Sequence, residues 1–168
     1  MKASDLSFQT MTYFSAREWP DGVLSHMDAE VIKALCRVRN RLPRGHTWTP
    51  SPLPRGHVRE EPSGSRHSIQ GGNRLSDATD GFVRWSHLWR WWTELQREPA
   101  LGGIGVYVDM IWNNTFRERP MLHIDCRTDR ILWVAWRDDR SDSINYTYLH
   151  SDPARFFELL AERHHGKG

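Results

Sequence analysis

The sequence has few cysteines, no long apolar run and almost no net charge. Two cysteines, Cys36 and Cys126, are too few for a disulfide framework, and they do not form a CxxC pair. No stretch of 18 apolar residues occurs, which excludes a transmembrane helix. The net charge of +2, from 23 basic and 21 acidic residues, gives no electrostatic signal for nucleic-acid binding. We therefore expect neither a membrane span nor a nucleic-acid partner.

The first residues also lack the features of a secretory signal. They contain no continuous apolar core and no small-residue cleavage site, so we expect no signal peptide. The 168 residues suit one domain. We expect an N-terminal arm at 1–13, a folded domain at 14–163 and a short tail at 164–168. Nothing in the sequence indicates an oligomeric state.

The hydrophobic pattern predicts an α+β fold. Apolar residues recur at helical spacing in 28–42 and 81–97, and a proline opens a third predicted helix at 153–163. Short apolar segments predict strands at 104–108, 121–126, 130–137 and 145–149. This order favours a small single domain with an antiparallel sheet flanked by helices. In the second helix we expect a buried stripe formed by Trp85, Leu88, Trp89 and Trp92.

A long segment without a regular pattern separates the first two predicted helices. Residues 43–74 contain five prolines and five glycines, which rule out a continuous helix. Long irregular segments in small domains are usually functional or disordered. This one carries His46, His57 and His67, and the chain has nine histidines in all, so we expect a functional loop.

Three short segments carry candidate chemistry: Ser65-Arg66-His67, the acidic pair Asp77 and Asp80, and His123-Ile124-Asp125. Side chains alternate along a strand, so His123 and Asp125 should lie on one face. Two histidines and a carboxylate form a donor set typical of a catalytic zinc ion. From residue types alone, however, His67 could be an ordinary loop residue, Asp80 a helix cap and His123 a hydrogen-bonded strand residue.

The order of these segments resembles the M15 family of zinc peptidases, which comprises D-alanyl-D-alanine carboxypeptidases and peptidoglycan endopeptidases, including phage endolysins. The hedgehog signalling domain shares its metal site. The resemblance covers about residues 14–136. It rests on Ser-x-His at 65–67, Ala-x-Asp at 78–80, Gly-Gly-Ile-Gly-Val-Tyr at 102–107 and His-Ile-Asp at 123–125. The segments at 14–19 and 48–59 also resemble parts of the family sequence.

The resemblance implies a zinc cofactor and a set of site residues. It makes His67, Asp80 and His123 the metal ligands, with Asp80 a better match than Asp77. It also places Arg59 near the substrate. Two departures are visible. The thirteen positions from His67 to Asp80 exceed the usual family spacing, and Pro120 stands where many members have a catalytic acid.

The carboxylates available as general base are Asp125 first and Glu118 second. Asp125 could instead orient a ligand histidine through its free N–H, and the spacing does not decide between these roles.

The function implied is zinc-dependent hydrolysis of an amide bond in peptidoglycan stem or cross-link peptides. A zinc ion lowers the pKa of water from 15.7 to about 7 and so provides a nucleophile at neutral pH. A phage or prophage enzyme would reach the bacterial cell wall from the host cytoplasm or on a virion. The alternatives are an inactive binding module with the same fold and a phage structural protein. Which peptide bond is cut cannot be predicted from the sequence.

Overall fold

A computed structural model describes residues 1–8, 11–60, 64–69, 74–109, 119–137 and 143–165. Within these ranges the chain forms three α-helices and a sheet of six strands, which confirms the α+β class. The helices are α1 (Ala29–Arg41), α2 (Leu88–Gln96) and α3 (Pro153–His165). The strands are β1 (Thr49–Pro50), β2 (Ala78–Phe82), β3 (Gly103–Tyr107), β4 (Met121–Asp125), β5 (Ile131–Arg137) and β6 (Ile144–Tyr148).

Helix α1 follows the predicted pattern closely. Its N-cap is Asp28, whose carboxylate accepts a hydrogen bond of 2.9 Å from the backbone N–H of Glu30. The stripe of Val31, Leu35 and Val38 is fully buried. The N-terminal residues also pack into this part of the fold, since the N–H of Ala3 donates to the carbonyl of Met27 over 2.8 Å.

The predicted helix at 81–97 is wrong over residues 81–87. Ala78–Phe82 forms strand β2, and a turn of 3₁₀ helix at Trp85–His87 precedes α2. The buried face of α2 also differs from the predicted one. Trp91 is fully buried, whereas Trp89 is 41% exposed. We expected Trp89 to be buried, but it directly follows the buried Leu88 and so lies about 100° from it around the helix axis.

The sheet has the strand order β1-β2-β4-β3-β5-β6 and is mixed. Four of its five pairings are antiparallel as predicted, and β3 pairs with β5 in parallel. The parallel pair arises because the chain leaves β4, crosses the end of β3 and pairs with its other edge. Gly102 lies under that crossing, where an added Cβ would overlap the carbonyl oxygen of Arg127.

The two faces of the sheet have different roles. One face packs Ile104, Leu122 and Val134 into the main hydrophobic core with the helices. The opposite face carries Asp80 and His123, because residues that face each other in the ladder project to the same side. The fold therefore places these polar residues on the face away from the main core. None of the helices in the described ranges is both long and apolar enough to cross a membrane.

Candidate metal centre

Asp80 and His123 are directly opposite each other in the β2–β4 ladder. Cross-strand neighbours of this kind have Cβ atoms about 4.5–5.5 Å apart, so their side chains meet. The Oδ1 atom of Asp80 lies 2.8 Å from Nδ1 of His123. Both side chains are buried.

The side chain of His67 reaches Asp80 and His123 from the irregular segment at 43–74. Its position is fixed through the backbone: its carbonyl accepts from the N–H of Arg59 over 2.8 Å, and the Arg59 carbonyl accepts from Ile69 over 3.0 Å. The Nε2 atom of His67 lies 3.1 Å from Nδ1 of His123 and 3.3 Å from Oδ1 of Asp80. His67 is 2% exposed, so the loop delivers a buried imidazole to the sheet face.

These three atoms form a triangle with the dimensions of a metal site. Its edges are 2.8, 3.1 and 3.3 Å. Ligands around a tetrahedral ion at 2.0–2.1 Å stand about 3.3 Å apart, so small movements suffice for coordination. His67, Asp80 and His123 are thus a buried group that could hold a metal ion. Two imidazole nitrogens and one carboxylate oxygen form a mixed donor set.

The second nitrogen of His123 is held by Asp125. Because an ionised carboxylate only accepts, the Nε2–H of His123 donates to Oδ2 of Asp125, over 2.9 Å. With the proton on Nε2, the lone pair of Nδ1 can point at a cation. Asp125 therefore lies on the opposite side of the imidazole ring from the triangle. A carboxylate in this position fixes the tautomer and the orientation of a ligand histidine.

Asp125 is itself tightly bound by its surroundings. It is fully buried, and its Oδ1 accepts from the backbone N–H groups of Gly103 (3.2 Å) and Arg127 (3.1 Å) and from Nε of Arg127 (2.7 Å). Gly103 is required here because a Cβ at that position would overlap the carboxylate. The glycine and the arginine thus build a pocket for the Asp125 carboxylate.

The charges around His123 favour a cation. Burial by itself would lower the pKa of His123, but hydrogen bonds to Asp125 and Asp80 outweigh it and raise the pKa to about 9. Burial would raise the pKa of Asp80, yet His67 and His123 hold it well below its usual range. The pKa of Asp125 is also lowered, because His123 and Arg127 outweigh its burial. Two ionised carboxylates thus stabilise positive charge at this point.

Asp77, the alternative acidic residue, lies outside the triangle. Its carboxylate pairs with Arg66, and its Oδ1 accepts from Nη2 of Arg74 over 3.2 Å. The side chain is 14% exposed. The geometry therefore favours Asp80 over Asp77 as the carboxylate of the metal site.

No described contact brings the side chain of Arg59 to the triangle. The Nε of Arg59 donates to the carbonyl of Arg55 over 3.2 Å, and the Arg59 side chain lines a surface groove of about 400 Å³ with Asp21 and His26. Arg59 contributes to the site through its backbone, which holds His67. Glu118 lies outside the described residues. Pro120, two residues later, is buried, and its carbonyl accepts from the N–H of Val83.

Sequence reasoning missed several residues that shape the site. Trp133 lies on β5 in the same row as His123, with ring centroids 5.1 Å apart. Gly105 stands between them, and any side chain there would overlap the Trp133 indole. His57, expected to be a loop residue, is fully buried, with Nε2–H donating to the carbonyl of Ser51 over 2.8 Å. The glycine spacing in β3 was the only signal of this arrangement in the sequence.

Comparisons of the chain with family models, with curated proteins and with solved structures found no match. The assignment of a function therefore depends on the residues and geometry of the metal centre.

Proposed function

We propose that this protein is a zinc-dependent hydrolase of amide bonds in peptidoglycan stem or cross-link peptides, similar to the M15 peptidases. The observation that carries the proposal is the buried triangle of His67, Asp80 and His123. These are the positions that the sequence resemblance assigns to the metal ligands. The Asp125 contact to His123 supports it further, because an outer carboxylate that fixes the tautomer is typical of histidines that bind metal ions.

Zinc is the proposed metal because of the donor set. Magnesium and calcium prefer all-oxygen sites, whereas two imidazoles and one carboxylate are frequent ligands of catalytic zinc. Three protein ligands would leave a fourth position for water or substrate, as a catalytic site requires. A bound zinc ion would polarise the substrate and supply a nucleophile from water at neutral pH.

We assign Asp125 to the orientation of His123 rather than to proton transfer. Its Oδ2 is occupied by His123, and its Oδ1 by Arg127 and Gly103, so its carboxylate faces away from the triangle. The general base is then Glu118, the second candidate from the sequence. Its task is to accept a proton from the attacking water and deliver it to the leaving amine. The side chain of Arg59 remains a proposed contact for the more distant part of the substrate.

The proposed setting is lysis of the bacterial cell wall by a phage or prophage protein, which would act from the host cytoplasm or on a virion. Peptidoglycan peptides are the proposed substrate, and no nucleic acid is involved. A second reading is a binding module that keeps the metal site without catalysis. It is favoured by Pro120, which stands where many M15 members have their catalytic acid.

The test is incubation of the zinc-loaded protein with purified muropeptides, followed by mass spectrometry. We expect one class of amide bond to be hydrolysed, and we expect His123→Ala to abolish the reaction. Asp77→Asn is the matched control, because it removes a nearby carboxylate that is not part of the triangle. If the fully loaded protein leaves all stem and cross-linked peptides intact, the hydrolase assignment is wrong and the binding-module reading gains support.

A further inference from the structure

Strand β3 contributes only one side chain to the face that carries the metal centre. The alternating positions on this face are Gly103, Gly105 and Tyr107. The first glycine leaves room for the Asp125 carboxylate and the second for the Trp133 indole. Tyr107 is therefore the one residue of this central strand that can present a functional group to a molecule bound there.

The pairing of β3 with β4 places Tyr107 two residues along the strand from the position opposite His123. Gly105 is opposite His123, and Tyr107 is opposite the next residue on the same face, Met121. Such diagonal neighbours are about 7–8 Å apart at their Cα atoms, which a tyrosine side chain spans easily. The ring of Tyr107 is only partly buried, so the site face leaves part of it accessible.

The ring of Tyr107 packs against Tyr146 on β6. The two rings meet edge to face, with centroids 6.3 Å apart. Besides burial, the contact with Tyr146 raises the pKa of Tyr107, as expected when Tyr107 donates its proton to Tyr146. Hydroxyl groups rotate, so with a ligand bound Tyr107 would donate to the ligand and accept from Tyr146 instead. Burial, followed by the nearby charge of Asp80, raises the pKa of Tyr107, so the phenol stays protonated. Its hydroxyl thus lies within the electrostatic influence of a proposed metal ligand.

We propose that the Tyr107 hydroxyl donates a hydrogen bond to the carbonyl oxygen of the substrate amide as negative charge develops there. This inference rests on the proposed hydrolase function. In the reaction, water adds to the carbonyl carbon and an electron pair moves to the carbonyl oxygen. The C–N bond then breaks, and the amine leaves with the proton that the base took from water. Tyr107 keeps its own proton throughout and stabilises the oxyanion by position alone.

The geometry also defines the ligand class. A group that pairs with Tyr107 must carry an oxygen with substantial negative charge next to the metal centre, as a tetrahedral adduct of an amide does. A phosphinate analogue of a dipeptide reproduces this charge and shape without being hydrolysed. It therefore reports on Tyr107 even when turnover is absent.

The test compares Tyr107→Phe with the parent protein, both loaded with zinc, in titration calorimetry with a phosphinate dipeptide and in muropeptide hydrolysis. Loss of one oxyanion donor typically lowers kcat by about 10²–10³-fold. We expect such a loss in turnover, phosphinate binding at least tenfold weaker, and an unchanged zinc content. Tyr148→Phe is the matched control, because Tyr148 lies on the same face of β6 as Tyr146 and is exposed. It should change neither quantity.

Each outcome decides the assignment. Equal phosphinate affinity in Tyr107→Phe and the parent protein overturns the role of Tyr107 while leaving the hydrolase function intact. Failure of the zinc-loaded parent to bind the phosphinate also overturns it. A parent protein that binds the phosphinate through Tyr107 but cleaves no muropeptide supports the oxyanion site and contradicts only the proposed peptidoglycan substrate.

Discussion

Asp125→Asn separates the two roles that a carboxylate beside His123 could have. In the parent protein Oδ2 accepts from Nε2–H of His123, and Oδ1 accepts three N–H groups from Gly103 and Arg127. An asparagine has one acceptor oxygen and an NH₂ group that only donates. If the oxygen faces His123, the NH₂ group meets the donors of Arg127, and in the opposite orientation it meets His123. At least one buried donor is left without a partner in either case.

The expected cost follows from these contacts. An unsatisfied buried donor costs about 1–3 kcal/mol, so Asp125→Asn should unfold at a lower denaturant concentration. Loss of an outer partner of a ligand histidine typically weakens metal binding by about 10–100-fold. We expect zinc affinity to fall by that factor, which corresponds to about 1.4–2.7 kcal/mol. At saturating zinc, turnover should largely recover.

The assay is a competition titration of zinc against a chromophoric chelator, with turnover measured at saturating zinc on the same samples. Asp77→Asn is the matched control, since Asp77 is a mostly buried carboxylate paired with Arg66 and Arg74 outside the triangle. Its zinc affinity should stay close to that of the parent protein. Normal zinc affinity in Asp125→Asn together with a turnover about 10²–10⁴-fold lower would refute the orienting role and identify Asp125 as the base.

Four further predictions concern other positions in the chain. Gly103→Ala places a Cβ against the Asp125 carboxylate and should therefore weaken zinc binding. Gly64→Ala is the control and should leave zinc affinity unchanged, because there is open space around Gly64. Equal zinc affinities in the two variants would contradict the pocket described for Asp125. Glu118→Gln should retain zinc but lower turnover by about 10²–10⁴-fold, and unchanged turnover would remove Glu118 as base. Trp91→Ala should destabilise the fold by about 3–5 kcal/mol in urea unfolding and the partly exposed Trp89→Ala by clearly less, and an equal loss would contradict the described packing of α2. Burial lowers the pKa of His57 to about 4, below the usual 6.5, so only the unfolded state takes up this proton between those values. Between pH 7 and pH 5, with chelator present, the free energy of unfolding of the parent protein should therefore fall by about 2 kcal/mol more than that of His57→Gln, and an equal pH dependence in both proteins would contradict this cause.

Local signals in the sequence were sufficient for much of the fold. The cap at Asp28 and the stripe through Val38 located α1, and short apolar segments located β3 to β6 to within about a residue at each end. The alternation along β4 correctly placed His123 and Asp125 on one face. These features depend on neighbours in the chain, which is why periodicity predicts them.

Features that depend on distant partners were not predictable in the same way. The apolar pattern assigns the last two residues of strand β2, Gly81 and Phe82, to the start of a helix, whereas pairing with β4 makes them part of a strand. The parallel pair of β3 and β5 depends on a chain crossing over Gly102. The contact of Asp125 with Gly103, 22 residues away in sequence, likewise comes from the ladder alone. Spacing within β4 could therefore not distinguish an orienting carboxylate from a base.

The most direct test of the metal centre is the zinc content of the purified protein, measured by elemental analysis after reconstitution and dialysis. We expect about one zinc per chain, removable by a chelator. The variants His67→Ala, Asp80→Ala and His123→Ala should each lose it, while Asp77→Ala should keep it. Absence of zinc from the reconstituted parent protein, or retention of full zinc in His67→Ala and His123→Ala, would contradict the proposed centre.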